Sequence, residues 1–260
     1  MIEFHFEKPS TVADAVAALA VDGAQALAGG QTLTPTMKQR LATPSVLVSL
    51  NGIADLKGVS LSGGVLTIGA ATPHAVVARE AGAYPALAAL AGGIGDPAVR
   101  NRGTIGGSLA NNDPAACYPA AVLASRATIV TNKRSIAADD FFQGMFSTAL
   151  EDGEIITAVA FPVPERAAYV KFNQPASRFA LTAVFVAQTA DGVRVAVTGA
   201  SNNGVFRWTE AEAALSANFA TTALAGLAAS SDDLIGDLHG TPAYRANLIK
   251  VLTGRAVLAA

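Results

Sequence analysis

The chain has 260 residues, of which 51% are hydrophobic and 15% are charged, and this composition excludes an intrinsically disordered protein. Its single cysteine excludes a disulfide within the chain and an iron–sulfur cluster held by this chain alone. A net charge of -2 gives no general electrostatic reason to bind nucleic acid or an anionic membrane. The three histidines, at positions 5, 74 and 239, are too scattered for a metal-binding motif.

The N-terminal residues include acidic side chains and lack the apolar region of a signal peptide. No apolar run reaches the roughly 18–20 residues needed to cross a bilayer. We therefore expect a cytoplasmic protein without a membrane segment.

The first elements predict a small α/β unit. Thr11 precedes an apolar stripe at helical spacing that ends at Gly23, which predicts a helix. A short strand over residues 25–28 leads into a glycine pair and a helix that begins near Pro35. Residues 46–50 are typical of a buried strand.

The pattern changes from residue 58 onward. A hairpin centred on two glycines is followed by helices that begin at Pro73 and Pro85. Residues 100–119 lack helical periodicity and are rich in Gly, Asn, Asp and Pro, which predicts a long functional loop. A helix and two strands complete this part of the chain.

Residues 162–165 have the pattern of a domain boundary. Beyond it, three strands are predicted over residues 169–172, 183–188 and 193–198, followed by helices around residues 209–215, 221–229 and 244–258. The predicted fold class is α+β, in two domains.

Two glycine pairs carry the strongest chemical signal, at residues 28–33 and 104–111. Glycines allow backbone N–H groups to converge on a ligand, and a following helix N-terminus adds partial positive charge, which suits a diphosphate. No G-x-x-x-x-G-K-[ST] motif occurs, so a P-loop is excluded. Residues 93–98 match G-x-G-x-x-A, but they follow a predicted helix and contain a proline, which argues against a Rossmann site.

The second glycine loop and the residues after it resemble the flavin-binding medium subunit of molybdenum hydroxylases, the group of aerobic carbon monoxide dehydrogenase and xanthine dehydrogenase. In that family an A-G-G-x-S/T loop and a T-I-G-G-S/D loop hold the FAD diphosphate, and D-P-A-A-D-x-P follows the second. This chain carries A-G-G-Q-T at residues 28–32, T-I-G-G-S at residues 104–108 and D-P-A-A-C-Y-P at residues 113–119. The similarity covers nearly the whole chain, and residues 175–180 are especially similar to the carbon monoxide dehydrogenase-like branch.

The resemblance implies a two-part FAD-binding fold of the vanillyl-alcohol-oxidase/PCMH type over residues 1–165, with subdomains of about residues 1–57 and 58–165. Residues 166–260 would form a C-terminal flavoprotein domain with a three-stranded antiparallel sheet and helices. The resemblance also implies a set of cofactor-binding residues: Ala28, Gly29, Gly30, Gln31, Thr32, Leu33, Ile94, Thr104, Ile105, Gly106, Gly107, Ser108, Asn111, Asp113, Cys117, Ile156 and Lys171. No catalytic residue and no metal ligand is expected.

Two positions depart from the family pattern. Cys117 stands where the family usually has an Asp, and Arg178 stands where many xanthine dehydrogenase-type members carry an Asp. We interpret Cys117 as a small, partly buried residue and His74 as a surface or capping residue. Arg100 and Arg102 either neutralise the diphosphate or are solvated loop residues.

The function implied by the resemblance is an FAD-carrying electron-transfer subunit. Its partners would be a large molybdopterin subunit and a small iron–sulfur subunit, in a dimer of heterotrimers. Substrate would be oxidised at the molybdopterin, and electrons would reach the FAD through the iron–sulfur clusters and leave to a quinone, NAD or oxygen. Two alternatives remain open: a stand-alone flavin oxidoreductase, and a flavin-free interaction subunit that only Cys117 and Arg178 support.

Overall fold

Three larger β-sheets, a two-stranded hairpin and ten α-helices make up residues 2–260, the part of the chain that the computed structural model describes. The strands are β1 His5–Glu7, β2 Ala24–Leu27, β3 Val46–Ser49, β4 Val59–Ser62, β5 Val65–Gly69, β6 Thr128–Thr131, β7 Ser135–Ala137, β8 Phe142–Gly144, β9 Ser147–Thr148, β10 Ile156–Pro162, β11 Arg166–Asn173, β12 Ala180–Thr189, β13 Gly192–Thr198 and β14 Phe206–Arg207. The helices are α1 Val12–Leu19, α2 Leu33–Lys38, α3 His74–Glu80, α4 Pro85–Gly92, α5 Pro97–Arg100, α6 Ile105–Asn111, α7 Tyr118–Ala124, α8 Ala138–Phe141, α9 Thr209–Ala217 and α10 Pro242–Ala259, with 3₁₀ turns at Ala54–Leu56 and Thr221–Leu224.

The first sheet is parallel and has the order β1-β3-β2. All four residues of β3 are buried, as expected for the central strand of a covered parallel sheet. Helix α1 packs beside it and is capped by Thr11, whose hydroxyl oxygen accepts a hydrogen bond from the Asp14 amide at 3.1 Å. Strand β1 was not predicted, because its three residues are too few for a periodic signal and all of them are exposed.

The second sheet has the order β4-β5-β10-β6-β7, and its neighbouring strands are antiparallel. Apolar residues of this sheet share one core with α3, α4, α6 and α7. The predicted hairpin is β4–β5, and the two helices predicted from their prolines are α3, with Pro73 as its N-cap, and α4, with Pro85 in its first turn.

The prediction of an irregular loop over residues 100–119 was wrong in part, because α6 occupies its centre. The glycine pair and Asn111 disfavour a helix by intrinsic propensity. Tertiary contacts override that preference: Ile105 and Leu109 are fully buried in the core, and Thr104 caps the first turn.

The third sheet is antiparallel with the order β11-β12-β13-β14, so it has four strands where three were predicted. The additional strand, β14, has two residues and is too short to produce a pattern. Strand β12 is buried over its first eight residues, because both faces are covered. Phe185 and Ala187 join the core of the second sheet, while Val184 and Val186 pack with α9 and α10. The predicted helix at residues 221–229 is only the 3₁₀ turn.

An ion pair between a buried arginine and an exposed aspartate joins the third sheet to α8. The guanidinium of Arg194 on β13 donates to both carboxylate oxygens of Asp139, at 3.0 and 2.7 Å, and to the Leu123 carbonyl at 3.0 Å. The bidentate geometry fixes the orientation of the two elements. Together with the shared core, it fixes the side of the third sheet that faces the second.

Candidate functional site

A cleft of about 680 Å³ is lined by residues from all three larger sheets and their connections. Its walls include residues 25–33, 103–104, 106–108, 154–156 and 177–179. The volume lies in the usual range for small-molecule and cofactor sites.

The first glycine loop connects β2 to α2 and forms one wall of this cleft. The backbone N–H groups of residues 29–32 have no hydrogen-bond acceptor within residues 2–260, and Thr32 provides no side-chain cap for α2. Gly30 adopts a positive φ of 68°, which a side chain with a Cβ tolerates poorly. The Asn51 side chain anchors the loop by donating to the Ala28 carbonyl at 2.8 Å. This wall therefore presents four consecutive unpaired amide donors.

The second glycine loop forms the N-terminus of α6. The Thr104 hydroxyl oxygen accepts a hydrogen bond from the Gly107 amide at 3.2 Å, and the Gly106 amide donates to the Ala70 carbonyl at 2.9 Å. A Cβ atom at Gly106 would lie 2.6 Å from the Cβ of Ala70, so only glycine fits against the residue that follows β5. Thr104 is therefore the N-cap of α6.

The two glycine loops contact each other at the bottom of the cleft. A Cβ atom on Gly29 would overlap the Arg102 carbonyl group, and a Cβ atom on Gly107 would lie 3.7 Å from the Cβ of Ala28. Residues that are separated by more than 70 positions in the sequence therefore form one continuous backbone surface.

The segment after α6 is held by the third sheet and by a hairpin. The hydroxyl oxygen of Thr198 on β13 lies 2.8 Å from the carbonyl oxygens of both Pro114 and Ala116, which share its single proton. Asn112, which is 1% exposed and has a φ of 42°, donates through its amide to the carbonyls of Gly144 and Ser147, both at 2.8 Å. Asn112 was not predicted as a structural residue, although an Asn directly after a helix is a common left-handed cap.

Glu154 is a buried acid in the cleft wall that the sequence analysis did not single out. Burial alone would raise its pKa, but hydrogen bonds from Arg134, from the Glu151 amide and from the Thr131 hydroxyl outweigh burial and lower the pKa to about 2. Glu154 is therefore an ionised, fully engaged carboxylate that orders the turn before β10.

His74 was expected at the surface or as a cap, and this prediction was wrong. Its side chain is only 5% exposed, Pro73 is the N-cap of α3, and the imidazole lines the cleft beneath the second glycine loop. Burial and the nearby Arg100 charge lower the pKa of His74 to about 4, so the ring is neutral at pH 7. A Cβ atom on Gly103 would lie 2.6 Å from its Nε2, so the ring supports the loop directly.

The two arginines before the second loop have different surroundings. Arg100 Nη1 donates to the carbonyls of Ile94 and Gly95, both at 3.0 Å, and so fixes the turn that carries Ile94 into the cleft. Arg102 is exposed and its side chain is not part of the cleft lining. Among the lining residues of the described chain, Arg178 is the one arginine or lysine.

The structure brings fifteen of the seventeen predicted cofactor residues to the cleft lining. Ile105 does not line it, because its side chain points into the hydrophobic core and is fully buried. Lys171 also lies outside the lining, because its ammonium is engaged by the Gly93 and Arg178 carbonyls at 2.6 and 3.1 Å. Its Nζ lies 3.7 Å from Sγ of Cys117, which does line the cleft and is 6% exposed.

The chemistry of the lining fits a dinucleotide such as FAD. Unpaired amides and one arginine supply donors for a diphosphate, and apolar residues such as Leu33, Ile94 and Ile156 supply surfaces for the rings. Within residues 2–260, no group of three or more His, Cys, Asp or Glu side chains is placed to hold a metal ion. The same residues contain no helix with the length and apolar character needed to span a membrane.

Comparison with known proteins gives matches along the whole chain. Residues 2–164 match the family model described as the FAD binding domain in molybdopterin dehydrogenase. The carbon monoxide dehydrogenase medium chain of Afipia carboxidovorans is 40% identical over 201 residues, which are 73% of this chain and 70% of that protein. The nicotine 6-hydroxylase medium subunit of Paenarthrobacter nicotinovorans is 34% identical, over 98% of this chain and 96% of its own length.

Solved structures agree with these matches. Quinoline 2-oxidoreductase from Pseudomonas putida 86 contains a chain with a TM-score of 0.89 and 29% identity, which covers 100% of this chain and 97% of that chain. Carbon monoxide dehydrogenase from Hydrogenophaga pseudoflava gives a TM-score of 0.88 and 32% identity, with coverage of 100% and 98%. The chain therefore belongs to the family of FAD-binding domains of molybdopterin dehydrogenases, and it is an FAD-binding subunit of an oxidoreductase of the molybdenum hydroxylase group.

Proposed function

We propose that this chain holds FAD in the cleft and transfers electrons between a partner subunit and an external acceptor. In this proposal the fifteen predicted residues that line the cleft contact the cofactor, while Ile105 and Lys171 support the lining from behind. The one observation that carries the proposal is the contact between the two glycine loops, which joins the four unpaired amides of residues 29–32 to the N-terminus of α6.

Each protein group has a positioning role in this proposal. The free amides of residues 29–32 bind the diphosphate, the N-terminus of α6 adds partial positive charge, and Arg178 is the nearby cation. The apolar lining excludes water from the ring system, and the neutral His74 holds the second loop against its surroundings without adding charge. Bound FAD supplies the redox chemistry, because it exchanges electrons one or two at a time.

One thiol cannot hold an iron–sulfur cluster, so a cluster that delivers electrons to this chain must belong to a partner. We propose that a small iron–sulfur subunit delivers electrons from a large molybdopterin subunit, within a dimer of heterotrimers. In the names of two relatives this chain corresponds to a "medium" chain or subunit, which supports the multi-subunit assembly. The division into FAD-binding residues 1–165 and C-terminal residues 166–260 and the cytoplasmic location belong to the same proposal.

The test is to co-purify the chain with its partner subunits and to follow the absorbance of its flavin after substrate is added. We expect one FAD per chain, together with molybdenum and iron, and reduction of the flavin only when the iron–sulfur subunit is present. Turnover of a substrate by the isolated, FAD-loaded chain would instead support a stand-alone flavin oxidoreductase. The match to an FAD-binding family argues against the flavin-free alternative.

A further inference from the structure

The loop over residues 174–179 joins β11 to β12 and contributes Ser177, Arg178 and Phe179 to the cleft wall. Arg178 has a φ of 61°, in the left-handed region that residues with a Cβ rarely adopt. Phe179 is 53% exposed, so hydrophobic burial does little to hold the loop in place. This conformation therefore depends on specific polar contacts.

The contacts within the loop are few. The Arg178 amide donates to the Gln174 carbonyl and the Gln174 amide donates to the Phe179 carbonyl, both at 2.9 Å, which closes the loop on itself. The Phe179 amide reaches the Ser177 hydroxyl at 3.3 Å. None of these three bonds ties the loop to another part of the chain.

Lys171 links the loop to the residue that follows α4. Its Nζ donates to the Arg178 carbonyl at 3.1 Å and, at the same time, to the Gly93 carbonyl at 2.6 Å. Gly93 precedes Ile94, which lines the cleft from the side of the second sheet. One ammonium group therefore bridges two walls of the cleft, and Cys117 on a third wall lies 3.7 Å away.

The ammonium group of Lys171 makes its hydrogen bonds to the two carbonyls of this bridge. Within residues 2–260 Lys171 forms no ion pair with a carboxylate, so its donors are directed at the two carbonyls and the thiol. Hydrogen bonds from a charged donor are stronger than neutral ones, and this one connects residues that are 78 positions apart. Removing it would release the loop without creating a cavity in the core.

We propose that Lys171 is a positioning residue that fastens the 174–179 loop to Gly93 and thereby keeps the cleft closed on that side. The role of Lys171 in holding the loop is inferred only from contacts within this chain. Its consequence for the cofactor, slower release of FAD, rests on the proposed function.

Limited trypsin digestion of the full chain tests the role of Lys171 in holding the loop, because trypsin cleaves after Arg178 faster when the loop leaves its native position. The internal reference is cleavage after Arg40, which is exposed and followed by the 75% exposed Leu41. For Lys171→Met we expect the ratio of the two cleavage rates, Arg178 over Arg40, to rise about tenfold. Lys171→Arg should restore part of the difference.

The matched control is Lys250→Met, which removes a lysine that donates to the Ala225 carbonyl at 2.9 Å on α10, outside the cleft lining. This variant should leave the ratio unchanged. An unchanged ratio in Lys171→Met, or equal acceleration at both sites, would overturn the proposal, since the second result means only that the fold is destabilised.

The rate of FAD release from the loaded chain tests whether Lys171 slows the loss of the cofactor. We expect release to be severalfold faster in Lys171→Met and unchanged in Lys250→Met. Equal release rates for all variants would overturn the link to the cofactor. A wild-type chain that binds no FAD would contradict the proposed function, whereas the cleavage ratio would still decide the role of Lys171.

Discussion

Gly29 and the Arg102 carbonyl group are so close that no Cβ atom fits between them. This contact joins a loop of the parallel first sheet to a loop of the second sheet. It explains why glycine is needed at position 29 for packing, independently of any ligand. Residues 29–32, whose amides have no acceptor within residues 2–260, line the cleft next to this contact, so the fold and the proposed diphosphate site share the same backbone segment.

The cap of α6 is the first feature to test by mutation. Thr104→Val removes the hydroxyl that accepts from the Gly107 amide, and α6 has little intrinsic propensity to compensate. We expect the free energy of unfolding to fall by about 0.5–2 kcal/mol, measured by urea denaturation. Thr104→Ser retains the acceptor and should remain close to wild type. Equal losses in the two variants would mean that the cap contributes nothing.

Glu154 should make the stability of the fold sensitive to acid. Its pKa is about 2 in the folded chain against an ordinary value of 4.5, so the unfolded chain binds its proton first as the pH falls. The stabilisation is complete above about pH 4.5 and is lost as the pH falls through the folded pKa of about 2.

Glu154→Gln should therefore cost about 1–3 kcal/mol at pH 7, because hydrogen bonds to a charged group are lost. The difference from wild type should shrink as the pH is lowered toward 2, as measured by urea denaturation at a series of pH values. A difference that stays constant over this range would show that the carboxylate charge is irrelevant.

Cys117 can be tested against the acid that its relatives are expected to carry. Cys117→Asp would place a carboxylate close to Lys171, whose Nζ lies 3.7 Å from Sγ and has no acidic partner in the described chain. In a double-mutant cycle with Lys171→Met, we expect a favourable coupling of about 1–3 kcal/mol, because the acid alone would be a buried, unpaired charge. A coupling indistinguishable from zero would show that the two side chains do not interact.

The sequence predicted the elements that have a clear physical pattern. Buried runs predicted β3 and β12, and two prolines predicted the starts of α3 and α4. The short strands β1, β8, β9 and β14 have two or three residues each, which is too few for a periodic signal. Helix α6 was missed because contacts with the core override the low helix propensity of its glycines.

The candidate site divides in the same way. The glycine loops could be predicted because each one is a motif of consecutive residues, at positions 28–32 and 104–108. The roles of His74, Glu154 and Lys171 depend on contacts with distant residues, such as Gly103, Arg134 and Gly93. No local pattern shows that a histidine is buried or that a lysine bridges two walls.

The FAD content of a Gly107 variant tests the central claim most directly. Gly107→Val puts a branched side chain next to the Thr104 hydroxyl, 3.1 Å from the added Cβ, and toward Ala28 across the cleft. Gly82→Val is the matched control, because Gly82 is exposed and its added Cβ meets no atom within 4 Å. Both variants should retain the circular dichroism of the folded chain, and we expect Gly82→Val to bind one FAD per chain and Gly107→Val to bind none. Stoichiometric FAD in folded Gly107→Val would contradict the placement of the diphosphate between the two loops.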